Sequence, residues 1–168
     1  MPLYVFDTSG FSKPQEDNPA DIHETMWAAL KAFVLEGNVA VNTEIFNEML
    51  HIEGGIGAFL DENKATILLE VGAGAWPWVE YLEHLAQMQV DHAQWISEYL
   101  GNKKDTIGLK DISIIALAKA LNLPLVSMEI FVVEEAQSKK RRIPNICAAE
   151  DVEHLTFNEF CRRQGFKF

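Results

Sequence analysis

Asp7, Asp111 and Glu129, with a glutamate from the pair Glu44 and Glu48, are the residues whose types and placing could do chemistry. Carboxylates held within ~5 Å of one another raise each other's pKa unless a cation stands between them. Hard divalent ions prefer oxygen ligands, and magnesium is typically held by one or two carboxylates plus water. A cation so placed can activate water and stabilise an in-line phosphoryl displacement. Each acid also has a plain structural use: Asp7 as the cap of a turn, Asp111 as a partner of a helix dipole, Glu44 and Glu48 as solvated surface groups.

The elements that must position these acids can be read from apolar spacing. LYVF is a short buried strand that runs straight into Asp7-Thr8-Ser9-Gly10. Residues 11–20, with Pro14 and Pro19, read as a loop. Asp21 with Glu24 marks a helix start, and the helix runs to a stop at Gly37. NVAVN is a second strand, after which Thr43 caps a helix that carries Glu44 and Glu48 four apart on one face.

A further helix is expected at about 56–63, and ATILLEV is open between strand and extended packing. Apolar spacing from Pro77 to Leu100 fits one or two helices, and 101–108 is a polar loop. LKDISIIALAKALN is a strongly periodic helix with Asp111 in its first turn. PLVSME is a third strand that ends in Ser127 and Glu129, VEHL is a short fourth, and Thr156 with Glu159 caps a last helix that stops at Gly165. Strands alternating with helices predict an α/β domain with a mainly parallel sheet flanked by helices. Ligands of such sheets bind off the carboxyl ends of the strands, where Asp7 and Glu129 fall.

Bulk properties bound the function. The 168 residues, 48% hydrophobic and 23% charged, fit one compact domain. The formal charge of −11 weighs against nucleic acid, because phosphate binding usually leaves a basic footprint. Two local patches oppose it: Lys139, Lys140, Arg141 and Arg142, and then Arg162, Arg163 and Lys167. Cys147 and Cys161 read as reduced, partly buried thiols. No apolar run reaches the ~20 residues of a membrane span and no basic leader opens the chain, so a cytoplasmic protein away from membranes is expected.

Taken together, the motifs resemble those of the PIN-domain nucleases. YVFDTSGF resembles the family's opening strand, VNTEIFNEML its second motif, LKDISIIALAKA its third, and PLVSME its fourth. The resemblance covers most of the chain and implies one PIN-like domain over residues 1–168. It places the family's glutamate on Glu48, so that Asp7, Glu48, Asp111 and Glu129 are the implied catalytic and metal-holding residues. Ser9, Ser127 and Glu44 are implied to stand behind them, and the cofactor is Mg2+ or Mn2+. The implied reaction is hydrolysis of an RNA phosphodiester, with Lys139, Lys140, Arg141 and Arg142 as RNA contacts.

The basic segment and the tail, from KKRRIPNIC onward, are similar to a PIN-like bacterial and archaeal branch described only as a domain of unknown function. Members of that branch are often regarded as toxins of toxin–antitoxin pairs, which implies an antitoxin partner and a homodimer. Three departures stand out. Glu129 occupies a place where most members have Asp, Gly10 loosens a turn where an apolar residue is common, and the stretch between Glu48 and Asp111 is longer than in compact toxins.

Two other classes compete with this reading. One is a PIN-like binding or scaffold protein with a weak or silent site, which the acidic charge favours. The other is a phosphatase of the haloacid-dehalogenase type, which needs an Asp where Ser9 stands. His23, His51, His84, His92 and His154 show no zinc spacing and read as surface or helix-face residues. Trp76-Pro77-Trp78 reads as a helix start packed on the core before it reads as a base-stacking platform.

Overall fold

The computed structural model describes residues 1–168. Four short strands form one sheet in the order β2-β1-β3-β4: β1 is Tyr4–Phe6, β2 Val39–Ala40, β3 Leu125–Val126 and β4 His154–Leu155. Every pairing is parallel, with Val5 facing Ala40 on one side and Leu125 on the other, and Leu125 facing His154. Helices flank this sheet, so the expected α/β class holds and the sheet is wholly parallel. No helix is long and apolar enough to cross a membrane.

Eight helices lie between the strands and a ninth follows the last. In chain order they are α1 Ser9–Asp17, α2 Glu24–Leu35, α3 Thr43–Met49, α4 Ile56–Glu62, α5 Lys64–Ile67, α6 Trp78–Asp91, α7 Leu109–Leu121, α8 Ile143–Ala149 and α9 Phe157–Gln164. Two 3-10 turns, Ala93–Trp95 and Ser97–Leu100, follow α6. The chain leaves β1 for β2 on one side, then returns past β1 to β3 on the other. The carboxyl ends of β1 and β3 therefore border a topological switch point, where a crevice opens in parallel sheets.

The core explains why such short strands suffice. Tyr4, Val5 and Phe6 are all buried, and Phe160 of α9 lies edge-on to Tyr4, Phe6 and Phe33 at 5.0, 5.2 and 5.3 Å between ring centroids. Edge-to-face rings of this kind add to simple area burial. They clamp β1, and so the residue that follows it, between α2 and α9.

Several local expectations are corrected. The stretch expected as a loop over 11–20 is largely α1, despite Pro14 inside the helix. Packing decides it: Phe11 stacks on Phe6 at 4.7 Å, and both are buried. Gly10 tightens this junction where it was expected to loosen it. A Cβ there would stand 2.9 Å from Phe6 Cδ1 and 3.1 Å from the Val126 carbonyl oxygen, so glycine permits the close approach of α1 to the sheet.

Asp21 caps nothing, since α2 begins at Glu24 behind His23. Asn42, not Thr43, caps α3 by accepting the Ile45 N–H at 3.1 Å. ATILLEV resolves into α5 and a parallel bridge between Leu68 and Val41. The last helix starts and stops as expected, with Thr156 and Glu159 capping each other's backbone and Gly165 left-handed at φ 70°.

Candidate metal centre

Asp7 directly follows β1 and is 6% exposed. Ser9, at the first turn of α1, donates both its N–H (3.0 Å) and its hydroxyl (2.6 Å) to Asp7 Oδ2. Asp111 stands in the first turn of α7, where Oδ2 accepts the N–H of Gly108 at 3.1 Å. Glu129 lies three residues beyond β3, and its Oε2 accepts the N–H of Ile143, the first residue of α8, at 2.7 Å. Each of these carboxylates is thus anchored through one oxygen by backbone of a helix start, a favourable place for negative charge.

Asp111 feels the charge of the other two, and Glu129 feels that of Asp7. Burial pushes Asp111 up to about 7, and the nearby carboxylates of Asp7, Glu129 and Glu48 push the same way against the Gly108 N–H. Asp7 is raised chiefly by burial, against the hydrogen bonds from Ser9. Glu129 is also raised by burial, opposed by the Ile143 N–H. No Lys or Arg forms an ion pair with Asp7 or Asp111, and Arg142 Nη1 lies 3.9 Å from Glu129 Oε1. Glu48 is exposed on α3 and reaches Asp111 by charge alone.

The donor set fits a hard divalent cation. It is all oxygen, it is partly desolvated, and Asp7 and Asp111 have no Lys or Arg partner, Arg142 alone standing 3.9 Å from Glu129. As the side chains stand, no group of three or more His, Cys, Asp or Glu is disposed to hold a metal ion. Holding one therefore takes rotation of the longer, less anchored side chains, of which Glu48 is the freest.

The remaining expected residues fall into two sets. Ser9 orients Asp7 and also accepts the Met128 N–H at 3.0 Å, tying α1 to the chain that carries Glu129. Ser127, wholly buried, accepts the Glu129 N–H at 3.3 Å, so it acts on that residue's backbone and not on its carboxylate. Glu44 is exposed and makes no hydrogen bond to the centre.

Arg141, one of the four expected RNA contacts, is turned into the protein. It is 6% exposed, stacks over Trp95 at 4.4 Å, and donates to the carbonyl oxygens of Lys140 and Ser138. Arg142 stays at the centre, held on Asp105 at 2.9 Å, while Lys139 is half-buried and Lys140 is exposed.

Sequence reasoning gave no role around the centre to Glu98, Asn42, His154 or Cys147, and none to His92 at the end of α6. Glu98 accepts the Leu109 N–H with both oxygens at the same helix start as Asp111, with no sequence signal. Asn42 links α3 to α7 by donating to Ser113 Oγ at 2.8 Å, and its place before a helix was the available clue. His154 bonds Ser127 Oγ at 2.7 Å and His92 is buried against Glu150 at 2.6 Å, so neither is a plain surface histidine. Cys147 lies in the core near the centre, and burial, with the Glu129 and Asp7 charges, pushes its thiol up to about 12.

Beside the centre, between α1 and the end of α3, lies an open cleft of about 790 Å³. Thr8, Glu16, Asp21, Glu48 and Glu53 line it, and no Lys or Arg does.

The family model described as "Domain of unknown function (DUF4411)" matches residues 4–168. No curated protein matches the sequence. Among solved structures, the chain is similar to one in the crystal structure of DNA-bound VapBC from Salmonella typhimurium, with a TM-score of 0.52 and 13% identity, over 94% of this chain and 99% of that one. It is also similar to a chain of FitAcB from Neisseria gonorrhoeae, with a TM-score of 0.48 and 17% identity, over 92% and 98%. At 13% identity the first likeness is one of fold.

Proposed function

The chain belongs to the DUF4411 family, and from that premise we propose that it is a Mg2+- or Mn2+-dependent endoribonuclease of the PIN type, the toxin of a toxin–antitoxin pair. The observation that carries this reading is the meeting of Asp7, Asp111 and Glu129 at the switch point of the sheet, where burial and mutual repulsion hold Asp111 near 7. A structural cluster would be expected to carry its own counter-ions, as buried charges are otherwise paired. This one has Arg142 beside Glu129 and no Lys or Arg paired with Asp7 or Asp111.

In this reading Asp7 and Glu129 hold the cation from the strand ends, Asp111 holds it from the start of α7, and Glu48 closes on it from α3. When bound, the cation supplies charge neutralisation for the phosphodiester and a more acidic water. Ser9 keeps Asp7 in a single orientation. Arg142, parked between Asp105 and Glu129, is the side chain placed to meet a phosphate oxygen, and Lys140 extends the basic edge. The likeness of fold to a chain from DNA-bound VapBC supports the pairing with an antitoxin.

A second reading, a binding protein with a silent site, is favoured by the acidic cleft, which repels phosphate where it adjoins the centre. Calorimetric titration of Mn2+ into the metal-free protein separates the two. Saturable binding in the wild type that disappears in both Asp7→Asn and Asp111→Asn is expected, followed by Mn2+-dependent cleavage of single-stranded RNA. A well-folded wild type that takes up no Mn2+ would sink the nuclease reading and leave the binding protein.

A further inference from the structure

We propose that His154 is a positioning residue of the carboxylate centre, acting on Glu129 through the hydroxyl of Ser127. The inference rests on reading the centre as a cation site, and its geometry comes from a part of the fold that none of the four acidic motifs includes. His154 lies on β4, the edge strand, and pairs across the ladder with Leu125 of β3. Its Nε2 stands 2.7 Å from Ser127 Oγ.

The backbone explains why Glu129 needs this support. The β3 ladder ends with the Ser127 N–H on the Leu155 carbonyl oxygen at 3.1 Å. After that the chain leaves the sheet, and its next two N–H groups find no strand. Met128 donates to Ser9 Oγ and Glu129 to Ser127 Oγ. Two serine hydroxyls thus replace the ladder where the chain turns toward the centre. Ser9 is itself fixed, because its proton goes to Asp7 Oδ2 at 2.6 Å.

Ser127 is fixed only by His154. A hydroxyl has one proton to give and lone pairs to accept with. With the Glu129 N–H pointing at Ser127 Oγ, the 2.7 Å contact with His154 Nε2 holds the hydroxyl in place, whichever of the two atoms carries the shared proton. Burial lowers the His154 pKa and so favours the uncharged ring, while the Glu159 carboxylate of α9 pulls the other way. Partners one step removed from a metal's ligands commonly set ligand orientation in this manner.

Three variants test it, read by two measurements on the whole chain. His154→Phe keeps the ring volume and removes the nitrogen. His154→Gln carries an amide that can reach the Nε2 position, and His154→Asn carries one that falls a bond short. The first measurement is hydrogen exchange of the Glu129 amide in metal-free protein, and the second is the Mn2+ dissociation constant from calorimetry. In His154→Phe, exchange at Glu129 is expected to quicken and Mn2+ binding to weaken, each by about tenfold.

His154→Gln restores both, His154→Asn does not, and combining His154→Phe with Ser127→Ala adds nothing to either single change. Should the Phe variant fail to fold, the contrast between Gln and Asn carries the test. Unchanged Glu129 exchange in His154→Phe or His154→Asn overturns the proposal. A wild type that binds no Mn2+ defeats the cation reading instead, and the exchange measurement still decides the role of His154.

Discussion

The two ends of α7 each carry or adjoin a half-buried carboxylate, and the protein treats them in opposite ways. Near the C-terminal end, Glu150 takes Lys119 Nζ and His92 Nε2 at 2.6 Å each, one on either oxygen. Burial alone would raise its pKa, but the Lys119 and His92 contacts outweigh burial and lower it. The three side chains tie the ends of α6, α7 and α8 together. At the N-terminal end, Asp111 stands among Asp7, Glu129 and Glu48, and its pKa rises to about 7. One helix thus ends in a charge that is satisfied internally and begins with one that is not. The fold supplies cations to Glu150 and no ion-pair partner to Asp111, and the proposed cation site lies at the second of these ends.

The largest expected effect comes from breaking the uncompensated end. Asp111→Asn keeps the shape and removes the charge, and Mn2+ affinity is expected to fall by more than about a hundredfold, as loss of a direct ligand should. The same change should stabilise the metal-free protein. Folded Asp111 keeps its proton up to about pH 7, whereas the unfolded residue loses it near 3.8. Between those values the folded state holds more protons, so stability declines as pH rises and stays low above 7. Asn escapes this, with a gain on the order of 2 kcal/mol at pH 8 and almost none at pH 4. Thermal unfolding at the two pH values, without metal, checks the sign; a loss of stability at pH 8 would mean that Asp111 is already compensated.

Breaking the compensated end should do the reverse. Glu150→Gln leaves His92 buried without its acceptor, and a neutral amide cannot match a carboxylate held by two donors. A loss of about 2 kcal/mol is expected at pH 7, toward the low end for a broken buried pair because Lys119 is a third exposed. Glu150 has a lowered pKa, so its contribution is present above the ordinary glutamate value of 4.5 and fades as pH falls through the lowered one. Urea unfolding should therefore separate the variant from wild type at pH 7 and bring them together as the pH falls through the lowered Glu150 value. Mn2+ affinity should not move.

These two ends differ too in how far the sequence discloses them. Asp7, Asp111 and Glu129 are legible because each has a local signature: an acid at a strand end, in a helix's first turn, or just past a buried strand. Glu150 and its partners carry no such signature, since His92, Lys119 and Glu150 meet only when three helix ends converge. His154 is silent for the same reason, as its meaning depends on the parallel register that sets it beside β3. The α1 helix was hidden by Pro14 and a polar run, and only the Phe6–Phe11 stack shows why it forms. Arg141 and Arg142 are adjacent in a basic run, yet one is packed on Trp95 and the other faces the carboxylates. Spacing along the chain finds charges that must stay near strand ends, but not charges that long-range packing neutralises.

The smallest effect sharpens the comparison without any substitution. If a cation displaces the proton held near Asp111, Mn2+ binding must release that proton wherever the free site holds it, which is below about pH 7. Affinity should then rise with pH and level off above that value, by about tenfold between pH 6 and pH 8. Asp7 and Glu129 are raised as well, so the release belongs to the group of carboxylates and not to one of them. Calorimetry in two buffers of different ionisation heat counts the protons directly. Close to one proton released at pH 6 and few at pH 8 is the expected pattern, and Glu150→Gln should reproduce it. A pH-independent affinity with no proton release would place the ion somewhere other than these carboxylates, even if Mn2+ binds tightly.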